Sequence, residues 1–252
     1  MTTNTLATLI MRDEMSPLPW PALEVPEYSE ARKGDWVLKK KSPPLIRGYF
    51  NGLQVPEYAN WVLLKGGKVW MSLTPMEVES QAPHAAAAYG HTVIMGFGMG
   101  MLTYNVLKNP AVTKVTVVEI DPEVVELIKE VSDMDNWPGI EKLTIEYADA
   151  LEWKPSEPVD VVLADIWPDL GDMKLRPDMV KIYENTKPTV IAGWGMELDY
   201  ISWMQDNGYA PGDECMGTYR RYAKDIGLPL IEIDNDEYPG LALDAARNVT
   251  MY

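Results

Sequence analysis

The stretch His91–Met101, HTVIMGFGMGM, constrains the chain more than any other. A short apolar run ends at once in three glycines on alternate positions, Gly96, Gly98 and Gly100. A second apolar run, Met101–Leu107, then continues until Asn109-Pro110. A buried strand turning sharply into a helix has this signature. Glycine adopts backbone angles closed to other residues and lets the main chain approach a neighbour or a ligand closely. Taken alone, the turn fits a ligand-free corner as well as a binding site.

The residues downstream extend it into a pattern. Lys114–Glu119 is a β-branched strand, and Pro122–Val131 a helix with Asp121 as N-cap and proline at its first position. Further strands are expected at Leu143–Tyr147, Val159–Ala164 and Thr189–Ala192. Strands separated by single helices imply right-handed crossovers and a mostly parallel sheet. Their near-continuous apolar character suits a sheet covered on both faces. The expected fold class is α/β, a Rossmann-like, doubly wound, mostly parallel sheet.

Upstream the character differs. Residues 1–35 are rich in proline and acids and read as an extended arm or short helices. Short β-like runs follow at Trp36–Lys40, Trp61–Leu64 and Lys68–Leu73, with Gly66-Gly67 as a hairpin signal. Thr74-Pro75-Met76-Glu77 reads as a helix start, with Thr74 as N-cap. That helix should run to about Tyr89, with Pro83 as a kink or break. The chain thus divides into an arm and small β-rich region, 1–75, and a Rossmann-like domain, 76–252. After Trp203, helices are expected around Glu214–Lys224, then a short Leu230–Ile233 run.

The net charge of −16 argues against a nucleic-acid partner, whose phosphates are bound mainly by Lys and Arg. Lys39-Lys40-Lys41 is too short to reverse this. An acidic surface favours solubility and attracts small cations such as amines. One cysteine, Cys215, and two histidines, His84 and His91, assemble no zinc-like cluster, so no metal is expected. No apolar run approaches eighteen residues, and Met1–Glu14 lacks the form of a secretory signal. A cytoplasmic protein without a membrane partner is the expectation.

Glu119 stands 23 residues after Gly96, at the end of the next strand, where a doubly wound sheet presents a carboxylate to ribose hydroxyls. Asp121 is explained as the helix cap. Asp149 follows the third strand at the same edge and suits the adenine amino group. A dinucleotide site would carry its third glycine one position later, where this chain has Met101.

Three glycines, a strand-end acid and a second strand-end Asp resemble the class I S-adenosylmethionine-dependent methyltransferases, and within them most of all the spermidine synthases. The likeness covers roughly residues 60–195. Gly67–Glu77 resembles that family's hairpin and helix start, Val118–Glu126 its second-strand motif, and Asp160–Asp165 its strand ending in an active-site Asp. The resemblance implies S-adenosylmethionine, or its decarboxylated form, as cofactor, and a homodimer joined through the β-rich N-terminal part. Two departures stand out. Met99 occupies the place of an Asp in the family's glycine loop, and Ile166-Trp167-Pro168-Asp169 replaces a Ser-rich loop after Asp165. Both remove polar groups that would hold a polyamine.

Asp165 is the candidate catalytic residue, placed to polarise or deprotonate an amine or to balance a cationic substrate. Trp167, Trp194 and Tyr200 follow the fourth and fifth strands and are candidates for the acceptor wall. Gln81 is carried over from the resemblance as a contact to the methionine end of the cofactor. His84 is a weak candidate base, and His91 is structural. The reading is a methyltransferase acting on a small molecule, an amine among the candidates. Its alternatives are aminopropyl transfer, cleavage or cyclisation of S-adenosylmethionine without a second substrate, a non-catalytic nucleoside module, and an NAD enzyme.

Overall fold

A computed structural model describes residues 18–42, 46–54, 60–233 and 237–250 of the protein. Residues 1–17, the first part of the expected arm and with them Met1–Glu14, lie outside the described residues. The N-terminal part holds β1 (Ala31–Lys33), β2 (Trp36–Lys41), the two-residue strands β3 (Ile46–Arg47) and β4 (Leu53–Gln54), β5 (Asn60–Lys65) and β6 (Lys68–Ser72). Strands β1-β2-β5-β6 form an antiparallel sheet, and β3 pairs with β4. The β5–β6 hairpin turns through Gly66 and Gly67, at φ +57° and +81°. Two positive φ values match the twist of the flanking strands. Strand β1 falls in the stretch expected to be an arm. Ala-Arg-Lys has no strand preference of its own, and its pairing with β2 decides its conformation.

Helix α1 (Pro75–Ala87) starts as expected, with the Thr74 hydroxyl accepting from the Glu77 N–H. It runs through Pro83 without ending there. It stops two residues short of Tyr89, because Gly90 already belongs to the next strand.

Beyond it the chain alternates β7 (Gly90–Met95), α2 (Met101–Lys108), β8 (Val112–Glu119), α3 (Pro122–Val131), β9 (Leu143–Tyr147), β10 (Val161–Ala164), α4 (Leu175–Thr186), β11 (Val190–Gly193), α5 (Met196–Asp206), α6 (Met216–Ile226) and α7 (Tyr238–Thr250). The five strands are parallel, in the order β11-β10-β7-β8-β9. Winding starts at the centre, runs out through β8 to β9, then returns to β10 and β11. This is a Rossmann-like doubly wound sheet, whose order reverses beside β7. One connection differs from the expected alternation: β9 reaches β10 through a loop. Pro155 and Pro158, each lacking an N–H, disfavour a helix there. The Leu230–Ile233 run adds one bridge, from Leu230 to Ile191, and no strand.

Alternate residues of each strand face opposite sides. Val93, Met95, Val162 and Ala164 pack on one face of the sheet, with α4, α5 and the C-terminal helices. Ile94, Val117, Val161 and Leu163 pack on the other, with α2, α3 and the inward side of β2 and β5. The small sheet is thereby held against the large one. Among the described residues no helix is long and apolar enough to cross a membrane.

Candidate active site

The carboxyl ends of the five parallel strands open onto one cleft of about 230 Å³. Ligands of open α/β sheets bind at this edge, beside the reversal of strand order. Gly96, Gly98, Glu119, Asp149, Asp165, Trp167 and Trp194 all line it. Gln81, Gly100 and Tyr200 do not.

Gly96 sits at φ +92°, and a Cβ there would lie 2.2 Å from the Asp165 carbonyl oxygen. Its glycine is required by the close approach of the β7 and β10 loops. Gly100, at φ +75°, caps α2, and a Cβ there would meet Trp137 at 2.6 Å and Phe97 at 3.0 Å. That glycine serves packing behind the turn. Met99 is fully buried and belongs to the core that also holds Leu38, Leu63 and Leu73 of the small sheet and its exit.

Glu119 is 8% exposed, and its two oxygens accept from the N–H groups of Phe97 and Asp121, each at 2.8 Å. It braces the glycine turn. Each carboxylate oxygen keeps a further acceptor position. Asp149 is exposed, with one oxygen accepting from the Leu151 N–H at 2.9 Å. Asp121 caps α3 as expected and does more. Its Oδ2 accepts from Trp36 Nε1 at 3.0 Å and from Lys65 Nζ at 2.8 Å. The Lys65 ammonium lies over the Trp36 ring, 4.7 Å from its centroid. Trp36, Lys65, Trp70 and Met71 of the small sheet complete this side of the cleft.

At the other end stands Asp165. Oδ2 accepts from Gln81 Nε2 at 2.7 Å. Gln81 is 1% exposed and sits behind Asp165, with its carbonyl oxygen 3.3 Å from His84 Nδ1. The side-chain amide of Gln81, expected at the cofactor, is hydrogen-bonded inside the protein to Asp165 and His84. Burial pushes the Asp165 carboxyl up to about 7, against the opposing effect of the Gln81 hydrogen bond. Beside it, Glu77 lines the same end. Burial, and then the Asp165 charge, push its carboxyl well above the usual carboxylate range. Burial also pushes His84 down to about 4, so its ring is neutral near pH 7. His91 is held by the Pro158 carbonyl and the Thr116 hydroxyl, each at 2.9 Å.

Trp167 donates its indole N–H to Asp178 at 3.0 Å, and Trp194 donates to Ser80 at 2.8 Å. Both rings therefore offer the cleft apolar surface. Tyr200, expected in the acceptor wall, lies away from the cleft lining. It is fully buried, its hydroxyl 2.7 Å from that of Thr218 and its ring against Tyr219 and Tyr222. One turn into α5, it faces the aromatic core instead of the strand ends.

Sequence reasoning missed Glu77, Trp36, Lys65 and Trp70. Glu77 was hidden by an adequate local explanation, its place in the first turn of α1. The other three reach the cleft only through the docking of one sheet on another, which no local signal records.

No protein-family model and no curated protein matches the chain. Among solved structures it is similar to spermidine synthase from Thermotoga maritima, at 16% identity over 67% of this chain and 56% of that one, with a TM-score of 0.40. It is also similar to the methyltransferase domain of a bacterial CtHen1, at 18% identity over 41% of this chain and 55% of that one, TM-score 0.34. A third is the DhpI–SAM–HEP complex, at 16% identity over 40% of this chain and 43% of that one, TM-score 0.30. The chain thus spans about half the length of the solved structures it matches.

Proposed function

We propose that the protein binds S-adenosylmethionine in this cleft and transfers its methyl group to a small molecule, with an amine as the acceptor class. One observation carries the reading: Asp149, Glu119, Gly96 and Asp165 follow four neighbouring parallel strands and line one cleft. Three strand spacings, about 14 Å, separate the first from the last. That span suits a nucleoside extended by a short aliphatic tail.

The donor set fits such a ligand. Glu119 would accept from the ribose hydroxyls and Asp149 from the adenine amino group, while Gly96 and Gly98 keep the backbone clear of side chains. Trp167 and Trp194 suit a positively charged sulfonium, which favours aromatic surface. Bound there, the sulfonium supplies an already activated methyl group. The chain's own work is alignment, exclusion of water and removal of a proton from the acceptor. Asp165, with its raised carboxyl, is the group for that last task.

A specific observation supports aminopropyl transfer as a second reading: two carboxyls, the buried Glu77 and the half-buried Asp165, at the acceptor end. Calorimetric titration with S-adenosylmethionine, its decarboxylated form, methylthioadenosine and NAD distinguishes the donors. Mass spectrometry after incubation with S-adenosylmethionine and a panel of small amines should show adenosylhomocysteine and a methylated amine. Methylthioadenosine without any acceptor would replace methyl transfer by cleavage, and tighter binding of NAD would end the reading.

A further inference from the structure

We infer that Glu77 is a second catalytic carboxyl, acting with Asp165 as a pair that receives the ammonium group of a small amine and takes its proton. The inference rests on the proposed adenosyl site and deepens it, because it assigns the acceptor end.

Glu77 occupies the third position of α1, where an acid ordinarily reaches back to the N–H of the capping residue. Here that N–H is engaged otherwise: Thr74 donates it to the Ser72 carbonyl at 2.8 Å. The Glu77 side chain is thus not used by its own helix start. It is 9% exposed and lines the cleft with Asp165. Lys65 is the one basic residue lining the cleft among the described residues, and it is bound to Asp121 at 2.8 Å, on the Glu119 side. The end that holds Glu77 and Asp165 therefore has two carboxyls and no positive partner. Two like charges so placed cannot both ionise without cost, so the charge of Asp165 opposes ionisation of Glu77. A cation in the cleft is the natural complement, and the apolar surfaces of Trp167, Trp194 and Ile166 around it strengthen the attraction by excluding water.

The groups around the pair agree with this. From α1, Gln81 donates to Asp165, hydrogen-bonds Glu77 as well, and lies against the neutral ring of His84. Gln81 is a positioning residue, holding Asp165 so that its other oxygen remains for the ligand. The charged side chains Glu119, Asp121, Asp149 and Lys65 line the cleft toward the nucleoside end. In the proposed step an N–H bond of the ammonium breaks and an O–H bond forms on the carboxylate. The electron pair stays on nitrogen as the nucleophile, and the proton passes to water when the product leaves.

The test uses the full chain with carboxyl carbons labelled by ¹³C, titrated by NMR in the wild type, Glu77→Gln and Asp165→Asn. Each variant should lower the midpoint of the remaining carboxyl by about one pH unit or more. Calorimetry with n-butylammonium in the presence of adenosylhomocysteine should show binding to the wild type, at least tenfold weaker binding to either variant, and none of butyrate. An unmoved Asp165 midpoint in Glu77→Gln, together with an unmoved Glu77 midpoint in Asp165→Asn, would overturn the pair. So would equal butylammonium affinity in all three proteins. Should one variant fail to fold, the other decides. Coupled carboxyls and butylammonium binding without affinity for any adenosyl compound would overturn the nucleoside reading, and with it the transfer step. S-adenosylmethionine binding with uncoupled carboxyls would overturn the pair alone.

Discussion

Gln81 donates its side-chain N–H to Oδ2 of Asp165 at 2.7 Å, across 84 positions of the chain. The bond joins the first helix to the fourth strand end of the large sheet, and it favours the ionised form of a carboxyl that burial would otherwise keep protonated. Gln81→Leu removes it. The Asp165 midpoint should rise further, and the acid limb of the pH–rate profile should move to higher pH. A profile reduced in height with its limb unmoved would mean that Gln81 only packs.

Asp165→Asn should change stability with a definite sign. The carboxyl moves from the ordinary 3.8 to about 7 on folding, so between these values the folded state keeps a proton that the unfolded state has released. Wild-type stability therefore falls as pH rises through this window, on the order of 4 kcal/mol in all. Asparagine does not titrate and can still accept from Gln81. The variant should gain on the wild type from pH 4 to pH 8 in denaturant melts while losing turnover and keeping cofactor affinity. Parallel stability curves would show that Asp165 ionises normally.

Glu119→Ala should weaken S-adenosylmethionine binding by about 1.5–3 kcal/mol, the range for hydrogen bonds to a charged group. Part of that loss comes from the two backbone N–H groups that Glu119 holds in the glycine turn. Calorimetry checks it, and unchanged affinity removes Glu119 from the ribose.

Gly100→Ala should cost about 1–3 kcal/mol, because the new methyl meets Trp137 and Phe97. Gly66→Ala is the control. It also has a positive φ, yet its Cβ would meet nothing within 4 Å. Its cost should be about 1 kcal/mol, from the backbone alone. Thermal melts compare the two, and equal losses would deny Gly100 its packing role.

Met99→Asp introduces a carboxylate into the glycine turn, at a site with no exposed surface. It should unfold or severely destabilise the protein without adding a polar group to the cleft, since an unpaired buried charge costs several kcal/mol. A folded variant with improved amine binding would contradict the placement of Met99.

The parallel sheet, the glycine turn, the Thr74 and Asp121 caps and the strand-end positions of Glu119, Asp149 and Asp165 were legible in the chain itself. Each depends on neighbours within a few residues: a run of β-branched side chains, a glycine where φ turns positive, an oxygen placed to accept from a helix's first N–H. Which of these residues face the cleft was settled by packing between distant segments. Glu77 reaches it and Gln81 stops behind Asp165, although both lie on α1. Tyr200 turns into the aromatic core, and Trp36, Lys65 and Trp70 arrive from a different sheet. The local pattern of a chain specifies the direction of its backbone. A cleft is formed by side chains from many elements, and their convergence depends on how apolar faces dock, which is a property of the whole fold.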